Sequence, residues 1–157
     1  MADDPVALCF EVFNEIGIIE QLSRSLLEAR LPDGLIAPHF GVISHLVRRG
    51  DGRTPIEMAR AFQVPKTSMT HTVKGLEAHG LVEVRPNPDD GRSKRVWLTP
   101  AGRAFRDQTI RALAPDLERL SKGVDVADLV GMLPALRALR AFLDADRDRP
   151  GTPDPSG

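Results

Sequence analysis

The sequence predicts a mainly α-helical protein built around a winged helix-turn-helix with a two-stranded β wing and additional helices on both sides. Three observations predict it. Apolar residues recur at helical spacing through most of the 157 residues. That period gives way to alternation once, after Gly80, in "LVEVR" (81–85) and "RVWL" (95–98). Charge is also unevenly divided: Arg48 to Arg106 hold 12 Lys+Arg against 6 Asp+Glu, inside a chain whose formal net charge is −1.

The first helix is expected over residues 4–30, with Leu8, Val12, Ile16, Ile19, Leu22 and Leu26 on one stripe. Phe10 and Phe13 widen the stripe beyond what one thin domain can cover. "LPDG" (31–34) ends it, and a second helix starts near Pro38 and stops at Gly50. "TPIE" (54–57) predicts a capped start for a short third helix: Thr54 caps, Pro55 has no amide to leave unpaired, and Glu57 can reach back. A fourth helix runs from about Pro65 to Gly80. Met69, Val73 and Leu76 face inward, and Lys66, Thr67, Ser68, Thr70, His71 and Lys74 face outward.

The two strands follow, joined by "PNPDDGRSKR" (86–95), in which Pro88, Asp89 and Gly91 are turn formers. "TPAG" (99–102) repeats the Thr-Pro helix start, opening a long fifth helix with Phe105, Ile110, Leu113, Leu117 and Leu120 inward and a bend at Pro115. Asp125 caps a last helix carrying Leu129, Leu133, Leu136, Leu139 and Leu143, which Pro134 should kink or split. The first helix and the last two have more apolar face than one copy buries, which implies pairing about a two-fold axis. The expected organisation is a helical dimerisation domain over 4–34 and 103–146 and a winged helix-turn-helix over 35–102. Residues 147–157, polar and Pro-rich, are expected to form a disordered tail.

Composition excludes several classes. No window approaches the ~18 apolar residues of a membrane span, and the acidic N-terminus is unlike a secretory leader. A cytoplasmic location is expected. One cysteine builds neither an internal disulfide nor a thiolate metal cluster. His39, His45, His71 and His79 lack ligand spacing, so no metal site is expected. Neither a Ser/His/Asp set, nor paired carboxylates, nor a Gly-rich phosphate loop is present, so neither catalysis nor a cofactor is expected.

The remaining constellation points to double-stranded DNA. The fourth helix has the size and polarity to enter a major groove, where Ser, Thr, Lys and His meet base edges and phosphates. The hairpin is narrow enough to carry an arginine into a minor groove. Lys66 and Lys74 need only charge and reach to hold phosphates, and Arg53, Lys94 and Arg95 are further backbone candidates. The segment 80–102 resembles the wing signature of the multiple-antibiotic-resistance regulator (MarR) family, D-x-R-S-x-x-V-x-L-T-x-x-G. The matching residues are Asp90, Arg92, Ser93, Val96, Leu98, Thr99 and Gly102. The resemblance extends over residues 5–146 and departs at Pro65, where many relatives carry a capping Ser.

The resemblance implies a homodimeric repressor whose operator affinity falls when a small molecule or oxidant acts, the effector being unidentified. Arg92 is then the minor-groove residue and Asp90 its orienting carboxylate. Cys9 carries two readings. Its "LCF" setting resembles the organic-hydroperoxide sensors of that family, in which an oxidised helix-one cysteine releases DNA. Those sensors also use tyrosines, which this chain lacks, and a small apolar residue packed in a buried helix is the plainer reading. A third reading of the whole chain is a winged helix used only for protein assembly.

Overall fold

The computed structural model describes residues 4–156 and consists of six helices and one antiparallel hairpin. The order is α1 (Pro5–Glu28), α2 (Ala37–Arg49), α3 (Pro55–Phe62), α4 (Lys66–Ala78), β1 (Val82–Pro86), β2 (Lys94–Leu98), α5 (Pro100–Gly123) and α6 (Val126–Asp146). Mainly helical, with a single two-stranded sheet, it is the winged-helix arrangement that the change of period predicts.

Caps set the boundaries. Thr54 and Glu57 form the reciprocal box at α3: the Thr54 amide donates to Glu57 Oε2 at 2.7 Å and the Glu57 amide to Thr54 Oγ1 at 3.2 Å. Thr99 Oγ1 accepts from the Gly102 amide at 3.0 Å to open α5, and Asp125 Oδ1 from the Ala127 amide at 2.8 Å to open α6. At α4 the N-cap is Pro65, which supplies no side-chain cap. Gln63, with φ 53°, takes the left-handed turn that ends α3 and allows α4 to start three residues later.

The core lies within residues 35–105. Val42, Ile43 and Leu46 of α2, Met58 and Ala59 of α3, and Met69, Val73 and Leu76 of α4 close on Val82 and Val96 of the hairpin, with Phe105 of α5 beside them. The three inward residues expected of α4 are therefore the buried ones. The hairpin pairs Val82 with Leu98, Val84 with Val96 and Pro86 with Lys94. Arg53 adds a one-residue bridge to Val96, whose amide donates to the Arg53 carbonyl at 2.9 Å.

The long helices depart from expectation. On α5 the buried residues are Gly102, Phe105, Thr109 and Asp116, whereas Ile110, Leu117 and Leu120 are exposed and Leu113 is half-buried. The polar-looking stripe faces the rest of the chain because Asp116 is neutralised there by Arg30, at 2.8 Å. The Arg30 guanidinium holds the Asp116 carboxyl below its ordinary range. Neither Pro115 nor Pro134 ends its helix; each removes one backbone donor, and α5 and α6 run through them. Neither α1 nor α6 contains a buried residue. Residues 147–156, whose composition argues for disorder, include turns, and the first of them lie against α3: Asp148 pairs with Arg60, and Arg147 Nη1 donates to the Arg60 carbonyl at 3.2 Å.

Gly102 fixes where α5 leaves the wing. A Cβ there would stand 2.1 Å from the carbonyl oxygen of Leu81, which already accepts the Thr99 amide at 3.2 Å. That backbone cannot yield as a side-chain tip could. Gly102→Ala should therefore lower unfolding free energy by on the order of 3 kcal/mol, despite the better helix propensity of alanine. Urea denaturation checks it, and a more stable variant would contradict the contact.

Candidate nucleic-acid interface

Three elements converge on one groove. Helix α4 presents Lys66, Thr70 and Lys74 at i, i+4 and i+8 along one edge. The wing opposes them with Asp90, Arg92, Ser93 and Lys94, and the first turn of α3 closes one side with Thr54, Pro55 and Ile56. The enclosed volume is about 580 Å³. Lys66, Lys74, Arg92 and Lys94 are all exposed, and among the described residues none of the four is in an ion pair. Their charge is directed to solvent rather than to a partner in the chain.

The turn of the wing is built by short polar side chains. Asn87 Oδ1 accepts the Asp89 amide at 3.0 Å, and Asn87 Nδ2 donates to Ser93 Oγ at 2.8 Å across the loop. Asp90 Oδ1 accepts the backbone amide of Arg92 at 2.9 Å. Asp90 thus orients Arg92 through its main chain, and no Asp90 contact to the guanidinium is present among the described residues. Arg95 behaves differently from Arg92: its Nη2 lies 2.7 Å from Asp89 Oδ2, so it braces the turn. At the foot of the wing the Arg85 guanidinium lies 4.9 Å from the centre of the Trp97 ring and pairs with Glu83 at 3.0 Å.

The position of α4 depends on a close approach. A Cβ on Gly75 would lie 2.6 Å from His39 Nε2. The His39 ring is buried and pinned, its Nδ1 accepting the Ile36 amide at 3.0 Å. Burial lowers its pKa from the ordinary 6.5, which favours the neutral imidazole against α4. The mid-helix glycine is accounted for by that ring.

Not every expected residue reaches the groove. Thr67 and His71 are exposed on the face of α4 away from the core, next to the groove edge, while Ser68 lies on the far flank and accepts Thr72 Oγ1 through its carbonyl at 3.0 Å. Arg53 is elsewhere: its guanidinium donates to the Arg49 carbonyl, and it lines a second cavity with α2 and α6. Cys9 is exposed on α1, so the buried packing role does not hold within one chain. No cluster of metal-ligating side chains occurs among the described residues.

Two contributors were not read from the sequence. Ile56 is exposed on the wall of the groove, at a position where periodicity alone gives no reason to single it out. Asp51 accepts the Leu98 amide at 2.8 Å and pairs with Arg103 at 3.0 Å, tying the loop before α3 to the end of the wing. Its partners are about fifty residues away in sequence, so no local pattern marks it.

Comparison with known proteins agrees with this geometry. The family model described as MarR family matches residues 33–93. The multiple antibiotic resistance protein MarR of Salmonella typhimurium is 31% identical over 135 residues, covering 80% of this chain and 92% of that protein. The chain belongs to the MarR family. Among solved structures, a mutant MarR from E. coli in complex with operator DNA superposes with a TM-score of 0.68 at 25% identity, covering 87% of this chain and 99% of the other. A MarR transcriptional regulator from Methanosarcina mazei shares the fold alone, with a TM-score of 0.74 at 18% identity over 83% of this chain and 94% of its own. MarR-family proteins are DNA-binding transcriptional regulators on a winged-helix fold, and neither family nor fold is that of an enzyme. No helix among the described residues is long and apolar enough to cross a membrane.

Proposed function

We propose that the protein is a cytoplasmic, ligand-responsive repressor that binds a pseudo-palindromic operator as a homodimer. The observation that carries this reading is the groove between α4 and the wing, in which Lys66, Lys74, Arg92 and Lys94 stand exposed around Thr70 and Ser93. Helix α4 reads the major groove through Thr67, Thr70 and His71, with Lys66 and Lys74 on flanking phosphates and Ser68 at the margin. Arg92, held by its amide on Asp90, enters the adjacent minor groove, and Lys94 neutralises the backbone beside it. Arg95 keeps the wing in shape through Asp89. The relative from E. coli is bound to operator DNA, which supports duplex DNA as the ligand.

Support for the two-fold pairing comes from apolar surface with no cover in one chain. Helix α1 exposes Phe10, Phe13, Ile19 and Leu22, and α6 exposes Leu133, Leu136, Phe142 and Leu143. Large apolar side chains left uncovered over so much of both helices mark an association surface. Pairing along it would set two α4 helices ~34 Å apart, one turn of duplex. A ligand that changes the angle between the paired helices and the winged helix changes that spacing and lowers the DNA-competent population.

Replacing Arg92 by Ala should weaken binding to a site selected from random DNA by about 1–3 kcal/mol and make the slope of log affinity against log salt shallower by about one unit. A fluorescence-anisotropy series from low to moderate salt measures both. Equal affinities at every salt concentration would remove the wing from the interface.

Truncating Leu133 and Leu136 together to Ala should raise the dimer dissociation constant by roughly a hundredfold or more, since each removes a large apolar side chain from the shared surface. Sedimentation velocity over a dilution series reads it. A wild-type chain that sediments as a monomer at micromolar concentration would contradict the pairing.

A further inference from the structure

The other flank of α3 carries a second concentration of positive charge. A cavity of about 440 Å³ opens between the last turn of α2, the loop into α3 and the last turns of α6. Arg48, Arg49, Arg53, Arg140 and Arg147 line it with His45, and the acidic residues present are Glu57 and Asp144. Five arginines and two acidic residues thus line it. Glu57 is already engaged as the α3 capping residue, and Asp144 lies 3.5 Å from Arg147. The balance inside the cavity is an excess of cations.

A second, independent observation concerns hydrogen bonding. Of the three arginine Nε atoms buried without a hydrogen-bond partner among the described residues, one is that of Arg106 on α5, and two, those of Arg53 and Arg147, belong to this cavity. Their terminal nitrogens are held: Arg53 Nη2 donates to the Arg49 carbonyl, and Arg147 Nη1 to the Arg60 carbonyl at 3.2 Å. Each guanidinium is therefore fixed by its tip while its Nε–H lacks an acceptor, and buried donors are normally satisfied. The His45 ring reports the same field: burial lowers its pKa, and Arg48, Arg49 and Arg53 lower it further.

We propose that this cavity binds a small polyanion, a molecule carrying two or more phosphate or carboxylate groups, and that its binding controls the DNA groove. Planar guanidinium forks match the oxygens of both groups, and the volume suits a compact ligand of metabolite size. Control follows from the shared wall. Helix α3 gives Glu57 and Ala61 to this cavity and Thr54, Pro55 and Ile56 to the groove. Arg140 and Arg147 belong to the end of α6, so an anion held by both sides ties α6 to α2 and α3. The regulatory half rests on the DNA-binding reading; the binding half does not.

Isothermal titration of the full chain with inorganic pyrophosphate and with citrate, at constant ionic strength, tests the site. One saturable site per chain is expected for at least one probe, with Arg147→Gln and Arg53→Gln each weakening it about tenfold or more. Arg147→Lys, which keeps the charge and lacks the Nε donor, should weaken it similarly, and the arginine Nε–H resonances should shift on addition of the probe. The absence of saturable binding by either probe, or binding indifferent to all three substitutions, overturns the site. Saturating the stronger probe should change the affinity for selected DNA several-fold, and Arg140→Gln, at a cavity position outside the Arg147 joint, should abolish that response while leaving affinity without the probe within about twofold of wild type. Weaker DNA binding by Arg140→Gln without any probe would instead place these arginines on DNA and overturn the proposal. Anion binding by a chain that never binds DNA would leave the site standing and refute only its regulatory role.

Discussion

The carbonyl oxygen of Leu81 occupies the space where a side chain on residue 102 would begin, and the functional surface depends on that contact. It draws α5 against the first residue of the wing. Thr99 completes the junction twice, its hydroxyl donating to the Gly80 carbonyl at 2.7 Å and accepting the Gly102 amide. Asp51 adds a tie from the opposite side to Leu98 and Arg103. With the foot of the hairpin held at these points, its tip is left to the local bonds of Asn87, Asp90 and Ser93. The distance between Arg92 and α4 then becomes a property of the fold rather than of a free loop. The family signature is in this sense a mechanical motif: Thr99 and Gly102 set the junction, and Asp90 and Ser93 shape the turn.

A second constraint acts on the long helices. In one chain α5 is anchored by Phe105 in the core, whereas α1 and α6 bury no residue. The side-chain bonds that join these two to the winged helix are polar: Glu28 accepts the Ala37 amide at the start of α2 at 2.9 Å, and Arg147 donates to the carbonyls at the end of α3. Ion pairs and single hydrogen bonds hold direction while contributing modest stability. Joints of that kind suit the change of angle that the proposed ligand control of α4 spacing requires.

The sequence disclosed what is local. The α3 capping box, the three inward residues of α4, the change of period at Gly80 and the Thr-Pro start of α5 each lie within a few residues, and the structure has them in those places. The close approach of Gly75 to His39, which comes from another helix, has no local signal. The inward face of α5 was misjudged because Ile110, Leu117 and Leu120 form a convincing apolar stripe that one chain does not bury, while the buried stripe contains Thr109 and Asp116. A buried aspartate is invisible to periodicity until its arginine, 86 residues away, is placed beside it. The same holds for the arginine cavity, whose members come from α2, the following loop and α6. Pro134 does not split its helix for a simpler reason: an exposed helix can lose one hydrogen bond without breaking.

The central claim is that two copies of this chain present α4 and the wing to one duplex. Hydroxyl-radical footprinting of a DNA site selected from a random pool, with wild-type protein in excess, tests it most directly. Two-fold symmetric protection of the backbone is expected on both strands, centred on two major-groove segments ~34 Å apart, with flanking minor-groove protection that disappears with Arg92→Ala. A single asymmetric footprint, or flanking protection unchanged in that variant, would contradict it.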